Sequence, residues 1–281
     1  MKKGINAWSF QKNSLAEMFD LAAKAGFEGV EVALDETGEV SPESTEKDLM
    51  KVAAEAKNAG ISLYSVASGL YWNYSLTDPD PAKRAKAQDI VKKQLETAAA
   101  LNCETILVIP GAVRVSFSPE LGVVDYAVAR ERSLEAFDKL KAEAEATKVA
   151  IGLENVWNGF LTSPIELRDF IDTIGSPYVG SYFDVGNALY FGEPEQWIRI
   201  LGSRIKKVHF KDYRRAVGSL DGFVDLLAGD TDYPEVMKAF KEVGYDGWAS
   251  AEMIPGYQHY PDTLIYNTSN AMDAIFGRDP S

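Results

Sequence analysis

The chain has one cysteine and two histidines in 281 residues, and no run approaching the ~20 continuous apolar residues that a membrane-spanning helix needs. A lone Cys103 excludes an internal disulfide, reads as a small buried hydrophobe and suits a reducing compartment. Two histidines are too few for a multi-zinc site built on imidazoles. The chain also lacks a basic excess. Its 29 Lys and Arg against 42 Asp and Glu leave a net charge of −13, which repels nucleic acid and anionic membrane surfaces, so neither is an expected partner. After MKKGINAWSF comes polar QKNS, so a secretory apolar core is missing and a cytoplasmic location is expected. What is present is 46% hydrophobic and 25% charged residues, enough to bury a core. With no linker-like stretch, 1–281 reads as one domain.

Short apolar, β-branched runs alternate eight times with longer segments of helical period. The pattern predicts strands over 4–9, 29–34, 61–67, 104–109, 149–154, 179–184, 205–210 and 247–252. Helices are predicted over 14–25, 43–59, 81–101, 125–147, 164–174, 193–202, 233–243 and 261–276. In AKAGFEGVEV, AKNAGISLYSV and KEVGYDGWAS a glycine falls just past an amphipathic helix, where a C-cap is expected. Ser41-Pro42-Glu43, Asp80-Pro81, Ser163-Pro164 and Tyr233-Pro234 put proline near a helix start, where its missing N–H costs nothing. Eight such units in this length predict an α/β fold, a (β/α)8 TIM barrel. An open doubly wound sheet would carry a glycine-rich phosphate loop after its first strand, and WSFQKNS has no glycine.

In such a barrel the functional groups stand at the C-terminal strand ends, where the βα loops converge. Glu154 ends the fifth predicted strand, Asp184 the sixth and Glu252 the eighth, and His209 lies one residue from the end of the seventh. A single carboxylate in such a place is commonly a helix cap or an ion-pair partner. Four ligand-type residues on consecutive strands, each after an apolar run (AIGL, VGSYF, IKKV, WASA), are another matter. Buried unpaired charge is costly, and carboxylates sharing one concavity repel each other. One divalent cation relieves both. Three oxygen donors and one imidazole nitrogen suit Mn²⁺, Co²⁺, Mg²⁺ or Zn²⁺ and disfavour Cu(I). The other histidine, His259 in GYQHYP, reads as a surface loop residue.

Leu153-Glu154-Asn155, Asp184-Val185-Gly186-Asn187, Val208-His209-Phe210-Lys211-Asp212 and Ala251-Glu252-Met253 resemble the xylose isomerase-like TIM barrel superfamily of sugar and sugar-phosphate isomerases and epimerases. The resemblance spans nearly the whole chain. It is strongest toward the ketose 3-epimerases, which include tagatose and psicose 3-epimerases and L-ribulose- or L-xylulose-5-phosphate 3-epimerases. The D-x-G-N and H-x-K-D pairs look most like the sugar-phosphate branch. The resemblance implies an isomerase of carbohydrate metabolism that inverts C3 of a ketose or ketose phosphate. It implies one divalent metal, manganese among the candidates, on Glu154, Asp184, His209 and Glu252, with the two glutamates doubling as acid and base. No organic cofactor is implied; the partner is a small-molecule sugar and the assembly a homo-oligomer, dimer or tetramer. The chemistry agrees, because inverting a carbon beside a carbonyl takes a proton from one face and returns one to the other, and a metal would stabilise the intervening enediolate.

Free-sugar 3-epimerases carry a glutamate where this chain has Phe160 and a histidine where it has Asn187, which argues against a free-ketose specificity. The substrate-binding candidates are Asn187 itself, Arg215, which the resemblance retains, Trp8 and Glu31 near the first two strand ends, Asn158 beside Asn155 and Trp157, and Lys211, which can meet a phosphate or pair with Asp212. The loop Ser68-Gly69-Leu70-Tyr71-Trp72 looks lid-like. Competing functions on this scaffold are a carbonyl-shifting aldose–ketose or hydroxypyruvate-type isomerase, an inosose-type dehydratase and a noncatalytic sugar-binding protein. The dehydratases carry an amide in place of His209, and endonuclease IV needs a histidine cluster and a basic face that this chain lacks.

Overall fold

The computed structural model describes residues 1–12 and 14–278. In chain order the elements are β1 (Lys2–Asn6), α1 (Leu15–Lys24), β2 (Gly29–Ala33), α2 (Glu46–Asn58), β3 (Ser62–Ala67), α3 (Pro81–Ala100) and β4 (Thr105–Val108). They continue with α4 (Tyr126–Thr147), β5 (Ala150–Glu154), α5 (Pro164–Ile174), β6 (Val179–Asp184), α6 (Val185–Phe191), α7 (Pro194–Leu201) and β7 (Ile205–Phe210). A short pair, β8 (Asp212–Tyr213) and β9 (Phe223–Val224), precedes α8 (Tyr233–Val243), β10 (Trp248–Ala251) and α9 (Pro261–Phe276). The long strands close as β1-β10-β7-β6-β5-β4-β3-β2, all parallel, while β8 and β9 form an antiparallel hairpin in the loop after β7. This is the (β/α)8 barrel that the alternation predicts.

Local chemistry sets the boundaries. Pro81, Pro164 and Pro234 sit in the first turns of their helices as expected, behind the caps Asp80, Ser163 and Asp232. Pro42 does not. Thr45 and Asp48 form a capping box, each side chain bonding the other's backbone N–H, and so α2 starts at Glu46. The first strand is also displaced from its predicted 4–9 span. It stops at Asn6, whose side chain accepts from the Trp8 N–H at 2.7 Å and turns Ala7–Ser9 into a 3-10 turn. The predicted helix 193–202 is α7, and an additional short helix, α6, precedes it because Asp184 caps α6 directly at the strand end.

Polar side chains are buried among the apolar ones at the barrel strands. Tyr64 hydrogen-bonds Ser250 at 2.6 Å and stacks on Trp248 with ring centroids 4.2 Å apart. A Cβ at Gly4 would stand 2.2 Å from the Tyr64 hydroxyl, and one at Gly152 would stand 2.8 Å from the Tyr182 ring. Gly4 makes room for a tyrosine two strands away, and Gly152 for one on the adjacent strand. At the opposite end from the active rim, buried Lys3 donates to Asp273 at 2.7 Å and to Ser269 at 2.9 Å, tying β1 to α9.

Removing one member of that buried pair strands the other charge. Asp273→Ala is expected to cost about 3–5 kcal/mol, read as a lower denaturant midpoint. A paired Lys3→Met, Asp273→Leu replacement should recover most of the loss.

Candidate active site

The parallel register sets the four expected ligands side by side, with Glu154 opposite Tyr182 and Asp184 opposite His209. Glu252 follows β10, whose Ser250 lies opposite His209. All four side chains are buried, and one donor atom from each lies within 4.8 Å of the rest. His209 Nδ1 is central, 3.3 Å from Glu154 Oε1, 3.5 Å from Glu252 Oε2 and 3.8 Å from Asp184 Oδ2. Nδ1 and Asp184 Oδ2 are buried without a hydrogen-bond partner, a condition that folded proteins rarely leave uncompensated. Three carboxylates and an imidazole nitrogen converging on one point, two of their atoms unpaired, can hold a divalent cation.

Neighbouring side chains fix these donors. Asn155 donates to the Asp184 carbonyl at 2.8 Å and accepts from its N–H at 2.9 Å, locking the ends of β5 and β6 together. The Asn187 N–H donates to Asp184 Oδ1 at 2.6 Å, leaving Oδ2 directed at the cluster. Glu31 was expected to face a sugar. The structure corrects this: Glu31 is fully buried behind His209, bonded to its Nε2 at 2.7 Å, and also accepts from Tyr182 and Asn6. A carboxylate on Nε2 orients the ring and presents Nδ1, the arrangement that supports a metal-ligating histidine.

Burial pushes the Glu154 carboxyl up to about 7, with the Glu252 and Asp184 charges adding to the effect. Asp184 is raised by burial too, although Lys211 works against it. At Glu252 burial also opposes ionisation, but Lys211 and His209 outweigh it and hold the carboxyl well below its usual range. Lys211 Nζ lies 2.5 Å from Glu252 Oε2 and 3.6 Å from Asp184 Oδ2. It does not make the expected pair with Asp212. That carboxylate accepts instead from the backbone N–H groups of Leu227, Gly229 and Thr231, at 2.9, 3.0 and 3.2 Å, and pins the loop after the hairpin.

Above the cluster opens a cleft of about 420 Å³. Of the remaining candidates, Trp8, Asn187 and Lys211 line it, together with Trp157. Asn158 does not; it is buried and donates to the Gly111 carbonyl at 2.6 Å, joining two loops. Arg215 also lies outside the lining, held on the surface by two bonds to Glu193 at 2.9 and 2.6 Å. Phe160 packs away from the cleft against Tyr126 and Phe170, and His259 is exposed. The loop read as a lid is packed down. Leu70 and Tyr71 are buried, Tyr71 donates to Gln94 at 2.5 Å, and only Ser68 and Trp72 reach the cleft. Sequence reasoning missed Asn6 and Tyr182, which hold Glu31, and the loop residues Phe117, Leu220, Phe223 and Ile254 of the wall. A carboxylate inside the apolar run GVEV already signalled a buried partner.

Residues 19–269 match the xylose isomerase-like TIM barrel family. The chain belongs to that family. An uncharacterized protein of Methanocaldococcus jannaschii is 27% identical to this xylose isomerase-like barrel over 90% of the chain and 83% of its own length. SgbU of Escherichia coli, provisionally named an L-ribulose-5-phosphate 3-epimerase, is 26% identical over 85% of the chain and 84% of its own. Among solved structures, D-psicose 3-epimerase with D-tagatose from Clostridium cellulolyticum H10 superposes with a TM-score of 0.81 at 18% identity, covering 99% of both chains. That likeness is one of fold. No helix among the described residues is long and apolar enough to cross a membrane.

Two outcomes follow from the cluster. Calorimetric titration with Mn²⁺ should show one site, lost in Asp184→Asn and weakened about 10–100-fold in Glu31→Gln. A metal ligand must shed its proton, so affinity should fall as pH drops through about 7, where Glu154 takes one up. Titrations in two buffers of different ionisation enthalpy should show proton release near neutrality.

Proposed function

We propose that this protein is a metal-dependent sugar isomerase of the epimerase type, inverting C3 of a ketose with Glu154 and Glu252 as its acid–base pair. The observation that carries the reading is the placement of these two carboxyls: both are buried at the same end of the barrel and line the same cleft. Epimerisation beside a carbonyl needs one group to take a proton and another to return one, from positions flanking the carbon.

Glu154 arrives from β5 and Glu252 from β10, with β6 and β7 between them in the barrel, so a ketose lying across the rim meets a carboxyl on either side. One carboxylate takes the C3 proton as an enediolate forms; the other returns a proton to the opposite face. Lys211, bound to Glu252 and Asp184, keeps Glu252 ionised. Trp8 and Trp157 exclude water from the reacting carbon. A divalent metal held by Glu154, Asp184, His209 and Glu252 would supply positive charge for the carbonyl and adjacent hydroxyl oxygens. The relative provisionally named a 3-epimerase supports the same reaction class.

The test is proton exchange in D₂O, followed by NMR with metal-loaded protein and a panel of ketoses and ketose phosphates. Deuterium should appear at C3 with the carbonyl carbon unmoved, and Glu154→Gln and Glu252→Gln should each slow exchange by about 10²–10⁴-fold. A product whose carbonyl has shifted, or one that has lost water, would replace this reading with an isomerase of the other type or a dehydratase.

A further inference from the structure

The cleft wall is notable for what it lacks. Among the described residues lining it, Lys211 is the sole cation, and its ammonium is already engaged by Glu252 and Asp184. The remaining polar lining is Ser68, Asn187 and a further acid, Asp221. A phosphate ester brings up to two negative charges that lose hydration on entry, and proteins compensate them with arginine forks, free lysines or backbone N–H groups. In TIM barrels that compensation commonly comes from the loops after strands seven and eight. Here the loop after β7 gives Leu220, Asp221 and Phe223 to the cleft, and the loop after β10 gives Ile254 and Pro255. Arg215 is bound to Glu193. Arg214 lines an adjoining hollow of about 500 Å³, exposed, with its Nε on the Ala228 carbonyl at 3.0 Å and Asp225 in the same hollow.

The mouth is apolar. Phe117, Leu220 and Ile254, 43%, 41% and 44% exposed, come from three separate loops to one rim. Phe117 is braced edge-on by Trp72 with ring centroids 5.0 Å apart, and Trp157 is braced by Tyr213 and Phe223, each 5.1 Å away. Large apolar side chains held at the lip of a concave site mark a ligand groove. At about 420 Å³ the cleft falls in the ~300–1,000 Å³ range of sites that take drug-sized ligands. A bare ketose, hydroxylated along its length, offers such a rim little apolar surface to cover.

We infer that the cleft selects an uncharged ketose carrying an O-linked glycosyl or aryl substituent at the end remote from C3, and discriminates against phosphate esters. The inference rests on the 3-epimerase reading for its chemistry and on the cleft wall for its specificity. The reacting end lies over Glu154 and Glu252, and the substituent covers Phe117, Leu220 and Ile254. Nothing charged need be desolvated beyond the site's own groups.

The experiment compares C3 exchange in D₂O for fructose, fructose 6-phosphate, L-ribulose 5-phosphate, 6-O-glucosyl-fructose and 6-O-benzyl-fructose on metal-loaded protein. The two 6-O-substituted ketoses should exceed fructose in kcat/KM by about tenfold, the yield of covering a few apolar groups. Both phosphates should fall below fructose, and Phe117→Ala and Leu220→Ala should shrink the substituent's advantage. A phosphate ester that reacts fastest and loses that lead in Arg214→Ala overturns the inference while leaving the epimerase reading intact. So does fructose reacting as well as its substituted forms. If no compound exchanges, the epimerase reading fails, and binding to Glu154→Gln by tryptophan fluorescence decides the specificity alone: tighter binding of 6-O-glucosyl-fructose than of fructose 6-phosphate upholds it, and the reverse order overturns it.

Discussion

Everything at the active rim depends on the interaction between His209 and the carboxylates around it. Glu31 holds Nε2 from behind, while Glu154, Asp184 and Glu252 surround Nδ1 in front. Four acids so close, all out of water, would be prohibitively unstable in a flexible chain. The barrel makes the arrangement tolerable because each group rides on a different strand, fixed by sheet hydrogen bonds, and because Lys211 and His209 lie among the negative charges. Nδ1 and Asp184 Oδ2 still lack a hydrogen-bond partner, so the cluster can hold a cation.

The molecule separates stability from chemistry along the barrel axis, as this fold does generally. At the N-terminal strand ends the ionic groups are closed pairs, Lys3 with Asp273 and Lys207 with Glu104, each at 2.7 Å. They need no ligand. At the C-terminal ends the ionic groups are incomplete, and each is held by a neighbour with no direct part in binding. Asn155 locks Asp184, Glu31 orients His209, and Asp212 pins the loop whose hairpin carries Phe223 over the cleft. The substrate-facing wall is then assembled from loops, which can change without disturbing the frame beneath them.

The barrel and the convergence of four ligand-type residues at one rim were readable from order alone. Eight apolar runs alternating with amphipathic helices leave few topologies, and strand direction dictates that Glu154, Asp184, His209 and Glu252 meet at one rim. Periodicity and position within a strand are local properties, so they survive the absence of coordinates. The errors occurred where an outcome depended on a cap or a partner distant in sequence. Pro42 was displaced from its helix start by the Thr45–Asp48 box, and Asn6 ended a strand that its apolar neighbours would have continued.

The sequence by itself determined the barrel and the acidic rim, because each follows from residue type and spacing. Only the tertiary structure decided which way the polar groups face. Glu31 turned inward to His209, 178 positions away; Arg215 turned to Glu193 and Asn158 to Gly111; Lys211 chose Glu252 over its own neighbour Asp212. The physical reason is the same in each case. A long or buried polar side chain takes the best counter-charge or hydrogen-bond partner that folding brings within about 3 Å, and sequence spacing does not show which distant residue folding will bring there.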